Sequence, residues 1–98
     1  MDDLFESTHK KAFEVFHEAN PHVYTKLVGY AQKVRATGRT RYGIATLYEV
    51  LRYRTDTTSQ DPFRLNNNHK AWYARKMMDR GDVPEGFFQL RRSAADDS

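Results

Sequence analysis

The stretch ANPHVYTKLVGYAQKVRATG, residues 19–38, decides the reading of the chain. Asn20-Pro21 closes one helical pattern and opens another: Asn is a favoured N-cap, and Pro suits the first helical position, where its missing N–H costs nothing. From Pro21 to about Thr37, Val23, Leu27, Tyr30, Ala31 and Val34 form one apolar stripe at helical period, and Gly38 supplies the stop. Lys33 and Arg35 lie in the last turns, where positive charge favours the helix dipole, so a structural explanation stands beside any functional one.

Upstream, Asp3 to Ala19 reads as an amphipathic helix with Phe5, Ala12, Phe13 and Phe16 on one side, and Asp3 with Glu6 has the spacing of a capping-box variant. Downstream, Arg39 to Gly43 is a basic connector, and Ile44 to Arg54 returns to helical period through Ile44, Leu47, Tyr48 and Leu51. Thr46 and Glu49 are spaced as a capping box, which leaves Tyr42 to Ala45 open to an extended conformation. Thr55 to Pro62 has no large apolar residue and is expected to be an exposed loop.

Phe63 and Leu65 then alternate with Arg64 and Asn66 as in a short strand, while Asn66, Asn67 and Asn68 offer N-caps for a helix running to Arg80 and stopped by Gly81. Along that helix His69, Tyr73, Lys76 and Arg80 read as one polar stripe, with Ala71, Ala74 and Met78 suited to close packing. Val83 to Gly86 is a turn, and Phe87 to Arg92 is a second short strand that pairs plausibly with Phe63 to Asn66. The expectation is a mainly α, four-helix single domain over residues 1–92, with room for a short two-stranded β element in a winged-helix-like arrangement. An acidic tail, residues 93–98, is expected to be disordered.

Length and composition bound the function. The 98 residues, 39% hydrophobic and 13% aromatic, suit one core. The absence of cysteine excludes disulfide frameworks and thiolate metal sites. The opening Met1-Asp2-Asp3 is acidic where a signal peptide is basic, and no apolar run approaches the roughly 20 residues of a membrane span, so a cytoplasmic protein is expected. His9, His17, His22 and His69 have no i, i+4 pairing, and no glycine-rich phosphate loop occurs. No catalytic residue, metal or cofactor is therefore assigned, and binding is the expected activity.

Charge is segregated. Residues 26–54 carry Lys26, Lys33, Arg35, Arg39, Arg41, Arg52 and Arg54 against Glu49 alone, and residues 64–80 carry Arg64, Lys70, Arg75, Lys76 and Arg80 against Asp79 alone. Such blocks suit a polyanion, because each neutralised phosphate releases counterions; ordinary solvated helix faces carry the same residue types. The first functional expectation is a double-stranded DNA-binding module, with Asn67, Asn68, His69, Lys70, Tyr73, Lys76 and Arg80 towards the groove and Arg39, Arg41, Arg64, Arg91 and Arg92 on the backbone. Tyr42, Tyr53 and Tyr73, each with an arginine within two residues, suit base stacking on single strands or RNA. The rival is a protein-interaction module anchored by Trp72, Tyr73 and exposed arginines.

The strings Asn20-Pro21-His22-Val23-Tyr24, Gly43-Ile44 with Leu47-Tyr48-Glu49-Val50-Leu51-Arg52, Leu65-Asn66-Asn67-Asn68 and Tyr73-Ala74-Arg75 resemble a family of small proteins found in bacteriophages and in bacterial genomes carrying prophages. The resemblance spans roughly residues 10–92. It implies a compact helical domain inside a bacterium and brings no activity and no catalytic or ligand residues with it; that small phage proteins commonly bind nucleic acid or bind and disable a host protein is an analogy.

Overall fold

A computed structural model describes residues 2–58 and 65–89 of the chain, with side chains from residue 8 onwards except at residue 58. Helix α1 spans Asp2–Ala19, α2 Pro21–Ala36 and α3 Ile44–Thr58; a single 3₁₀ turn at Asn67–His69 leads directly into α4, Lys70–Asp79. α2 packs on both α1 and α3, α3 packs on α4, and α1 closes against the 3₁₀ turn. The mainly helical, four-helix expectation holds.

The boundaries follow local chemistry, with one change of role. Asn20 occupies the N-cap position of α2 but makes no side-chain cap there. Its backbone N–H and its Nδ2 both donate to Phe16 O, at 2.9 and 3.1 Å, so it terminates α1, while Pro21 starts α2 without need of a donor. Asn66 is the N-cap chosen from the asparagine triplet: its Oδ1 accepts from Asn68 N at 2.9 Å. Gly81, at φ +79°, ends α4 in a Schellman arrangement, with Gly81 N bonded to Met78 O and Asp82 N to Met77 O.

The core is built from Phe13 of α1, Val23, Leu27 and Ala31 of α2, Ile44, Leu47, Tyr48 and Leu51 of α3, Tyr73, Ala74 and Met77 of α4, and Val83, Phe87 and Phe88 beyond it. Three expectations are corrected by this packing. Thr55 is buried and α3 continues to Thr58, so the polar composition of Thr55 to Pro62 marks no loop in its first four residues; residues 59–64, including Phe63 and Arg64, lie outside the described residues.

No strand forms among the described residues, and the winged-helix-like β element is not found there. Phe88 instead makes an isolated parallel bridge to Tyr42, with Tyr42 N donating to Phe87 O at 3.0 Å. Phe87 and Phe88 are both buried, so their alternation with Gln89 reflects a segment strapped onto the core and not a wing. Arg91, Arg92 and the acidic tail lie outside the described residues.

The third correction concerns α4. His69 is 5% exposed and Tyr73 0%, so the first half of the stripe read as polar packs inward, together with Ala74 and Met77, while Lys76 is half-buried and Arg80 exposed. Tyr73 meets Phe13 edge-on at 4.7 Å between ring centroids, and Phe13 also stacks on His17 and Trp72. Both residues have a large aromatic body and one polar tip, and the body wins when the helix is pressed between α1 and α3.

Two buried tyrosines differ in how that tip is treated. Tyr48 OH donates to Asn66 O at 2.7 Å, whereas Tyr73 OH has no partner among the described residues. An unsatisfied buried hydroxyl costs about 1–3 kcal/mol, and a made hydrogen bond contributes about 1 kcal/mol. Tyr73→Phe is therefore expected to raise the denaturant midpoint and Tyr48→Phe to lower it, a crossed pair that equilibrium unfolding by circular dichroism measures.

Candidate nucleic-acid interface

The DNA-facing set expected on α4 is not held together. His69 and Tyr73 are in the core, so neither reaches a groove or anchors a partner, and Trp72 is half-buried with Arg75 Cζ 5.5 Å from its ring centroid. Arg80 lies at the far end of the helix, over the Tyr24 ring at 5.0 Å and 3.8 Å from Asp82, whose carboxylate accepts from Tyr24 OH. Lys76, half-buried, acts electrostatically on His17 of α1. Asn67 and Asn68 are exposed and Lys70 half-buried, at the other end.

That end is joined to the first basic block by Arg52. Its Nη2 donates to Asn67 Oδ1 at 2.6 Å, its Nη1 pairs with Glu49 Oε2 at 2.6 Å, and its guanidinium lies 5.7 Å from the Tyr48 ring centroid. Two residues on, Arg54 leans to the opposite side of α3 and covers the Tyr30 ring of α2 at 5.7 Å. Helical period puts Lys26, Tyr30 and Lys33 in one row on α2, at spacings of four and three. Lys26 and Lys33 are exposed, and Arg39 and Arg41, both exposed, follow in the connector, where Arg39 lies over Tyr42 at 5.6 Å; Arg35 lies on the other side of α2, where its Nη1 donates to Gln32 Oε1 at 3.1 Å.

The result is a layer in which α3 lies between α2 and the 3₁₀ turn, tied to one by Arg54–Tyr30 and to the other by Arg52–Asn67. No carboxylate occurs between Glu18 and Glu49. Glu49 is neutralised by Arg52, and Asp56 is exposed one turn beyond Arg52. The crest of α3 between the two arginines carries Tyr53, 70% exposed, with Val50, 38% exposed, one turn before it.

Sequence reasoning named Arg39, Arg41, Asn67, Asn68 and Lys70 for this surface and counted Lys26, Lys33, Arg52 and Arg54 only as charge. The signal that would have promoted them is the acid-free run together with arginines placed one residue to either side of Tyr53. Beside Asn67 and Asn68 an open groove of about 760 Å³ separates α1 from the 3₁₀ turn, walled by Val15 and Phe16 on one side and the asparagines on the other. Among the described residues no group of His, Asp and Glu is placed to hold a metal, and no helix is long and apolar enough to cross a membrane.

Burial also sets the local proton chemistry. Desolvation holds His69 below the ordinary imidazole value of 6.5, with His9 adding to it. His17 is lowered by burial first and then by Lys76 and Arg80, against Glu14 and Glu18. Burial pushes the Tyr48 hydroxyl up to about 12. Because both imidazoles resist protonation in the fold, the unfolded chain binds more protons just below about pH 6.5, and stability present above that value falls as the pH drops through the folded-state values. Urea midpoints are expected to decline on acidification across that window, and His69→Gln is expected to make the decline shallower.

Comparison of the chain with protein-family models, with curated protein sequences and with solved structures found no match.

Proposed function

We propose that the protein binds nucleic acid on the layer formed by α2, the 39–43 connector, the end of α3 and the 3₁₀ turn, and not by inserting α4 into a groove. The observation that carries this reading is the pair of arginine contacts, Arg54 on Tyr30 and Arg52 on Asn67, that tie α2, α3 and the asparagine-bearing 3₁₀ turn into one layer. Lys26, Lys33, Arg39 and Arg41 supply phosphate contacts there, and Asn67 and Asn68 supply amides that both donate and accept. The arginines are held over aromatic rings, so less side-chain freedom is lost when a phosphate arrives than from a free surface cation.

The rival protein-interaction reading keeps its exposed arginines but has weaker aromatic anchors, since Tyr73 is buried and Trp72 is partly covered by Arg75. Fluorescence anisotropy with labelled oligonucleotides separates the two. Binding is expected at low salt and should weaken linearly in log–log form as salt rises, with a slope of about −0.7 to −0.9 for each phosphate neutralised. Lys33→Gln with Arg39→Gln and Arg41→Gln is expected to lower both affinity and that slope, whereas Lys10→Gln with Lys11→Gln, on exposed positions of α1, should change neither much. An absence of binding at low salt would end the proposal.

A further inference from the structure

Tyr53 is the single large aromatic side chain left exposed among the described residues, and it is not among those packed against the core. Every other described tyrosine is buried or half-buried. The neighbouring Arg52 and Arg54 might each have covered its ring, but both are committed elsewhere: Arg52 to Tyr48, Glu49 and Asn67, and Arg54 to Tyr30. At helical period they diverge by about 100° to either side of Tyr53. The ring therefore stands on the crest of α3 with a guanidinium on each flank.

A duplex and a single strand ask different things of such a surface. Reading the major groove requires an element that enters a channel about 12 Å wide and about 8.5 Å deep. α3 is flanked by α2 on one side and by the 3₁₀ turn and α4 on the other, and α4 turns its His69 and Tyr73 edge inward, so neither helix stands clear of its neighbours. A single strand needs only an accessible aromatic face for an unstacked base and cations beside it for the backbone, which sequence-tolerant single-strand binders combine in this way. Val50, one turn before Tyr53 and partly exposed, extends the apolar contact beneath a stacked base or its sugar. Asp56, one turn after it, sets a like-charged limit to the footprint, so the strand crosses α3 from the Lys33 side towards Asn67 and does not run along the helix to its end.

We infer that the ligand of this face is single-stranded nucleic acid, with one base stacked on Tyr53 and the flanking phosphates held by the Arg54–Lys33 side and the Arg52–Asn67 side. The inference rests on the nucleic-acid reading above and narrows it. Specificity for one base is not built into the crest, because stacking accepts any base, and the asparagines at one edge are the groups able to read a neighbouring one.

The test is an anisotropy titration of the intact protein with oligo-dT, oligo-U and a mixed-sequence duplex of equal length at one low salt concentration. Both single strands are expected to bind more tightly than the duplex. Tyr53→Ala should weaken single-strand binding about ten-fold and leave duplex binding unchanged, and Tyr53→Phe, which keeps the ring, should retain it. Circular dichroism of the alanine variant is expected to match the parent, since the side chain makes no core contact. Duplex affinity equal to or above that of the single strands, or equal losses for both ligands in Tyr53→Ala, would overturn the stacking inference while leaving the electrostatic surface standing. Absence of binding by all three oligonucleotides would remove the nucleic-acid reading itself and this inference with it.

Discussion

The inward face of α4, His69, Tyr73, Ala74 and Met77, is the constraint from which the remaining arrangement follows. A ten-residue helix, preceded by one 3₁₀ turn, is too short to persist alone in water and must be held by its packing. Tyr73 is large enough to touch Phe13 of α1 and Tyr48 of α3 at once, so seating it sets the separation of those helices. With Tyr73 in place, Asn66 is brought over Tyr48 OH and Asn67 beside Arg52, so the asparagines meet α3 as a by-product of core packing.

The same feature explains what could and could not be read beforehand. Backbone punctuation was legible because it is local: Asn20-Pro21, Gly38, Asn66 and Gly81 act within a few residues, and all four stand at helix ends. The side on which α4 packs was not legible, because His and Tyr are amphipathic and their hydropathy does not say whether body or tip prevails. Leu65 and Phe87 illustrate a second limit. Short alternating segments suit a strand pair or an irregular strap equally, and the outcome for Phe87 and Phe88 depended on Tyr42, which lies far away in sequence.

The candidate site was legible as charge but not as geometry. Composition placed seven cations between Lys26 and Arg54. It could not show that Arg52 and Arg54 point apart, nor that Arg80 is drawn to Tyr24 and Asp82 at the opposite end of α4. Among the described residues five arginines lie over aromatic rings, and every one of those rings belongs to a residue at the edge of the core or within it. Guanidinium groups thus roof the hydrophobic interior, so one set of residues serves both packing and the placement of charge at its edge.

The strap formed by residues 81–89 gives the fold a particular order of assembly. Asp82 supplies a carboxylate to Tyr24 and a carbonyl to Gln32, and Phe87 supplies the carbonyl that receives Tyr42 N–H, so α2 and the basic connector obtain these partners only from chain made much later. During vectorial synthesis the cationic α2 and its connector are made before the chain that braces them. A nascent chain halted short of Phe87 lacks the carbonyl that receives Tyr42 N–H, so bracing of the connector waits on completion of the strap.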